Sequence, residues 1–222
     1  MVWEGKIMYE IKAHEVMYKG AHFRSKNECK RYIFLKELGW NIEYEPVLED
    51  VKGWLPDLII FGCNDEKILV EIKPYQTLKD FDTDYAQLVE EKIHNSGWYN
   101  NYDAVVIFGS TLNLRNAGGY SFIGGRCFRT DEGQKEDYKK GTHQHCGRGD
   151  GPYYGDYFVY TDNGCNRGDI DICDQDMSYH GLVHGSYDGG WSIKDDTRNK
   201  IETSWNKAGT EMRYVKKIGK EK

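Results

Sequence analysis

Two short apolar runs, residues 54–61 (WLPDLIIF) and 68–72 (ILVEI), flank the turn-forming string Gly62-Cys63-Asn64-Asp65-Glu66. Aliphatic runs of this length bounded by Gly, Asn and Asp predict a β-hairpin with a five-residue turn. Asp57 opens one arm and Glu71 ends the other, so strands spaced about 4.8 Å apart bring both carboxylates to one end of the ribbon. Glu71 and Lys73 are two positions apart and project from the same face. Two carboxylates that close repel each other unless a cation lies between them. Hard oxygen donors suit Mg²⁺ or Mn²⁺, and an ion held there would activate water and polarise a phosphate. Lys73 is placed to orient that water or to neutralise developing charge. Plainer alternatives stand beside this one: Asp57 as a turn residue after Pro56, and Glu71 with Lys73 as a surface pair on an edge strand.

The flanking sequence builds a frame around the hairpin. Residues 7–11 alternate as a half-buried strand, and Val16, Tyr18 and Phe23 lead to Ser25. Ser25-Lys26-Asn27-Glu28 fits a capping box; Tyr32, Ile33, Leu35 and Leu38 follow as a helical stripe, and Gly39 closes the helix. Glu28 reads there as the third-position partner of the box, satisfying a backbone N–H. Ile42 and Tyr44 suggest a strand stopped near Pro46. Residues 82–94 read as a second helix, with Tyr85, Leu88, Val89, Lys92 and Ile93 at helical spacing. Residues 104–108 (AVVIF) read as a strand buried on both faces. The fold class is therefore α/β, with strand, helix, three strands, helix and strand within residues 1–110. Residues 111–222 form a loop- and β-rich appendage, Gly/Asp/Tyr-rich with a basic tail.

The elements and the motif together resemble the PD-(D/E)XK nuclease superfamily over about residues 18–110. The resemblance rests on Pro56-Asp57, on Glu71-Ile72-Lys73 followed by Pro74, and on the preceding Phe23-Arg24-Ser25-Lys26-Asn27-Glu28. The lead-in Tyr44-Glu45-Pro46 is similar to phage-encoded and transposon-end-cleaving branches of that group. The resemblance implies a restriction-endonuclease-like αβββαβ core with a mixed sheet and Mg²⁺-dependent hydrolysis of DNA phosphodiesters. It implies Asp57, Glu71, Glu28 and the backbone carbonyl of Ile72 as metal ligands, and Lys73 as the catalytic lysine. Gln87 is a weaker match to a helical glutamine of the recombination-nuclease branch, whose tyrosine partner is Glu91 here. DNA is the implied partner, homodimers are common in such families, and the implied compartment is the cytoplasm of a bacterial or phage-infected cell.

Charge and cysteine usage bound the remaining choices. The 222-residue chain has a net charge of −6, which gives no bulk attraction to nucleic acid. Residues 131–190 carry 12 acidic against 5 basic side chains, whereas residues 191–222 carry 9 basic against 5 acidic. No apolar run approaches the roughly 20 residues that span a bilayer, and the first residues lack an apolar signal core. The 6 cysteines therefore read as reduced thiols, with Cys29 and Cys63 as small core residues. Cys146, Cys165, Cys173 and His180 form a candidate structural Zn²⁺ set, although their spacing is irregular for one. His143, His145 and His184 lie near that set; scattered solvent or core residues are the plainer explanation.

Asp169, Asp171, Asp174 and Asp176 read as a solvated acidic loop, because the glycine and glutamate of a calcium loop are misplaced. Tyr153, Tyr154, Tyr157, Phe158 and Tyr160 suit either packing or stacking on unpaired bases. Arg213, Lys216, Lys217, Lys220 and Lys222 suit a phosphate-contacting arm or a solubilising end. Two other classes of function remain. One is a catalytically inactive nuclease-fold protein serving as a DNA- or protein-binding module, including an acidic inhibitor of a nucleic-acid-binding partner. The other is a zinc-stabilised assembly protein.

Overall fold

The computed structural model describes residues 14–61, 67–77, 80, 83–112 and 195–217, together with the strands 122–129, 157–161, 169–173 and 179–181. The strands are β1 (Val16–Tyr18), β2 (Ala21–Phe23), β3 (Asn41–Tyr44), β4 (Leu58–Phe61), β5 (Lys67–Ile72), β6 (Ala104–Phe108), β7 (Phe122–Arg129), β8 (Tyr157–Thr161), β9 (Asp169–Cys173), β10 (Tyr179–Gly181) and β11 (Lys216–Lys217). The helices are α1 (Lys26–Glu37), α2 (Asp84–His94) and α3 (Asp195–Glu211). The chain is thus mixed α/β. The strand expected over residues 7–11, the hairpin turn at residues 62–66 and Cys63 lie outside the described residues.

β3 to β10 lie side by side in sequence order in one 8-stranded sheet, and β11-β1-β2 make a second sheet. β5 and β6 pair in parallel, which places α2 in the crossover between them. The other pairings of the large sheet are antiparallel. β4 and β5 form the expected hairpin, with Leu58 opposite Val70 and Phe61 opposite Lys67. β6 is buried along its whole length.

Local chemistry explains both helices near the hairpin. The Ser25 side chain caps α1 by accepting from the Glu28 N–H at 3.1 Å. At the other end Gly39 takes a left-handed φ of 87°. The Gly39 N–H then reaches the Lys36 carbonyl and the Trp40 N–H the Leu35 carbonyl, a Schellman closure. Cys29, Ile33, Phe34, Leu35 and Leu38 bury against Ile42, Leu58, Ile60, Ile68, Val70 and Val106 on one face of the sheet.

Thr83 caps α2 through the Ala86 N–H. This helix is rotated from its sequence reading: Tyr85 and Leu88 are exposed, and Ala86, Glu90 and Ile93 face inward. The small Ala86 lets the helix approach Ile59, Leu69, Val105 and Ile107 on the second face, and the next helical positions on that stripe follow it inward.

Within residues 111–222, expected as a loop- and β-rich appendage with a basic tail, the segment Asp195–Glu211 is the helix α3. Ile201, Trp205 and Ala208 form its inward stripe. The Trp205 ring meets Phe34 edge-on at 5.2 Å and lies under Lys30 and the fully buried Arg31, at 3.6 and 4.6 Å. Burial pushes the Arg31 guanidinium down to about 9. It also donates to the carbonyls of Gly109 and Thr111 at 2.9 and 2.7 Å, fixing the chain just after β6.

The acidic stretch is corrected as well, since Asp169 and Asp171 belong to β9, while Asp174 and Asp176 lie outside the described residues. No helix among the described residues is long and apolar enough to cross a membrane.

A candidate carboxylate–lysine centre

The antiparallel register of β4 and β5 pairs Leu58 with Val70, so one further step sets Asp57 opposite Glu71. The ladder continues to that point, because the Asp57 N–H donates to the Val70 carbonyl at 2.8 Å. The Asp57 carboxylate then reaches across the ribbon, with Oδ2 accepting the Ile72 N–H at 2.6 Å. Its Oδ1 accepts from Arg24 Nη2 at 2.5 Å. Glu71 Oε2 accepts from the buried Trp54 indole at 2.8 Å, and Oε1 accepts from Lys73 Nζ. Lys73 is fixed in turn by its own N–H, which donates to the Phe108 carbonyl at the end of β6, 2.8 Å away.

Glu28 joins this end of the sheet from the first turn of α1. Its carboxylate does not turn back to complete a capping box; Oε2 accepts from the Tyr44 hydroxyl at 2.7 Å. Phe23 holds the Tyr44 ring at a centroid distance of 4.4 Å. Glu28, Asp57 and Glu71 are 7, 4 and 7% exposed, so these are buried acids and not a solvated surface patch. The edge-strand and turn-residue alternatives do not describe this geometry.

The electrostatics follow from that burial. The Asp57 carboxyl is held well above the usual carboxylate range, first by burial and then by the charges of Glu71 and Glu28. The Ile72 N–H and Arg24 oppose this without cancelling it. Burial pulls the Lys73 ammonium down, but the charge and hydrogen bond of Glu71 raise it above its ordinary value. Lys73 therefore keeps its proton at neutral pH. The Tyr44 hydroxyl is pushed up by burial and by its bond to Glu28.

The chemistry of the donor set fits a hard divalent cation: three buried carboxylates at one sheet end, more negative charge than two basic side chains offset. In the arrangement described, each acid leans on its own protein donor. Among the described residues no group of three or more His, Cys, Asp or Glu side chains stands ready to hold a metal ion. Arg24 occupies that role in part, with Nε 2.7 Å from Glu45 and 3.8 Å from Glu28 while Nη2 contacts Asp57.

Arg24, Tyr44, Glu45 and Trp54 are partners that sequence reading assigned no role. The available signal was the charge of Arg24 four residues before Glu28, and the Tyr44-Glu45-Pro46 string that ends β3. Gln87 is on the exposed side of α2. Of the proposed zinc set, Cys173 pairs in register with Tyr179, and His180 with Ile172. Cys146 and Cys165 lie outside the described residues, as do His143, His145 and His184. Compared with known proteins, the chain matches no family model, no curated protein and no solved structure.

Proposed function

We propose that the chain is a metal-dependent nuclease that hydrolyses DNA phosphodiester bonds at the Asp57–Glu71–Lys73 centre. The observation that carries this reading is the register of the hairpin. It sets two buried carboxylates opposite each other and pairs the second with a lysine two residues on. Such an arrangement costs stability unless a cation lies between the carboxylates. The sequence resemblance of Pro56-Asp57 and Glu71-Ile72-Lys73 points to DNA as the substrate.

In this reading Asp57, Glu71, Glu28 and the Ile72 carbonyl hold Mg²⁺ or Mn²⁺. When bound, the ion supplies charge neutralisation and a lowered pKa for water. Lys73 stays protonated against Glu71, so it acts as a hydrogen-bond donor and a positive charge, orienting water or phosphate, and not as a general base. Trp54 keeps the Glu71 carboxylate in its rotamer by holding Oε2. Water adds to phosphorus as the P–O3′ bond breaks, giving a 5′-phosphate and a 3′-hydroxyl that takes up the proton from water.

A second reading is a non-catalytic platform in which Arg24 and Lys73 merely neutralise the acids. The salt bridges of Arg24 to Asp57 and of Lys73 to Glu71 favour it. Cleavage of labelled DNA with and without divalent metal separates the two. Metal-dependent cutting lost on Lys73→Ala supports the nuclease, and no cutting of duplex, branched or single-stranded DNA supports the platform.

A further inference from the structure

Arg24 touches the buried acids while much of its side chain stays on the solvent side of the centre. Its side chain is 45% exposed, whereas those of Asp57 and Glu28 are 6 and 9% exposed. The guanidinium divides its two edges. Nε is held by Glu45 at 2.7 Å, and Nη2 is held by Asp57 at 2.5 Å. Glu45 is itself a special position, a non-glycine residue in the left-handed region with φ 47°. It directly precedes Pro46, a setting that disfavours compact backbone conformations. Its N–H is tied to the Asp57 carbonyl at 2.9 Å. Backbone strain maintained beside a cluster of acids is the kind of feature that serves a site. Here it aims the Glu45 carboxylate at Arg24.

We infer that Arg24 is the phosphate-binding side chain of this centre, positioned by Glu45, and that it exchanges Asp57 for a non-bridging oxygen of the DNA backbone when a divalent cation takes up Asp57. The inference rests on the nuclease reading and deepens it. A cation at Asp57 and Arg24 Nη2 compete for the same carboxylate. Once displaced, Nη2 stays at the mouth of the centre because Glu45 retains Nε, leaving a forked donor matched to phosphate. Glu45 is a positioning residue; it touches neither metal nor DNA.

The test uses the full chain and two readouts. Mn²⁺ binding without DNA is measured by calorimetry for wild type, Arg24→Met, Arg24→Lys and Asp57→Asn. Duplex DNA binding is measured in Ca²⁺ over a salt series. Arg24→Met is expected to bind Mn²⁺ about tenfold more tightly, a typical coupling for removal of one competitor. It should bind DNA more weakly, with the slope of log K against log salt reduced by about 1. Arg24→Lys keeps the charge without the fork and should show near-wild-type Mn²⁺ affinity with weakened DNA binding. That variant carries the test if Arg24→Met does not fold. Glu45→Gln should raise KM for cleavage while kcat changes little.

Unchanged or weaker Mn²⁺ binding by Arg24→Met, or an unaltered salt slope, overturns the inference and leaves Arg24 a structural counter-ion. If wild type binds no Mn²⁺ and Asp57→Asn behaves identically, both the inference and the nuclease reading fall. Wild-type Mn²⁺ binding that Asp57→Asn abolishes and Arg24→Met leaves unchanged removes the inference alone.

Discussion

The Ile72 N–H donates to Asp57 Oδ2 across 2.6 Å, so the carboxylate of one hairpin arm is locked to the backbone at the end of the other. Asp57 is in this way part of the ladder and part of the acid cluster at once. It cannot relax away from Glu71 without giving up that bond, and it stays where like charges repel it.

This frustration makes a stability prediction. The folded-state pKa of Asp57 lies above its ordinary value of 3.8. Between the two, the folded chain binds more protons than the unfolded one, so stability falls as pH rises through that window. Asp57→Asn removes the penalty while keeping an oxygen for the Ile72 N–H. The variant should melt higher than wild type at pH 7, and the difference should vanish below about pH 4. Mg²⁺ should raise the wild-type melting temperature by mass action and leave that of Asp57→Asn unchanged. Thermal denaturation across pH, with and without Mg²⁺, checks both statements.

A second prediction concerns how the lysine is carried. A Cβ at Gly109 would sit 2.6 Å from the Tyr75 carbonyl oxygen. That oxygen also accepts from the N–H and hydroxyl of Ser110, at 2.7 and 2.9 Å. Gly109→Ala should therefore cost about 1–3 kcal/mol, the usual range for overpacking. The displaced segment begins two residues after Lys73, so cleavage should slow more than the lost stability explains. Urea unfolding and cleavage rates measured on the same preparation report the two effects.

Trp205 carries the third. It covers Phe34 and the cationic heads of Lys30 and Arg31. Trp205→Ala should destabilise by about 3 kcal/mol, the low end for large aromatic truncations because the ring is only partly buried. The loss should appear in urea unfolding as one cooperative transition, since α3 packs directly on α1.

What the sequence made legible was local. α1 is marked by Ser25 and Gly39, the hairpin by two aliphatic runs, and the opposition of Asp57 and Glu71 follows from counting along a short ribbon. Arg24 and Asp57 are separated by 33 positions, and no local pattern predicts such a contact. α3 was missed for another reason: it is mostly polar, and its inward residues Ile201, Trp205 and Ala208, although at the helical i, i+4, i+7 spacing, are only three and include the weakly apolar Ala208. Its partner Arg31 is a residue type that is rarely buried. α2 was found but rotated, because Tyr85 and Leu88 outweigh Ala86 on any scale of hydrophobicity. The strands after β6 pair through long connections and contain glycine and aspartate, which weakens the alternation that identifies a strand.

The most direct test of the nuclease account is cleavage of end-labelled duplex, branched and single-stranded DNA by wild type and Lys73→Ala, each with Mg²⁺, Mn²⁺ or EDTA. Circular dichroism would confirm that both proteins are folded. The account predicts metal-dependent cutting of at least one substrate by wild type, abolished by EDTA and reduced about 10²–10³-fold by Lys73→Ala. Folded wild-type protein that cuts none of them with either metal would contradict it.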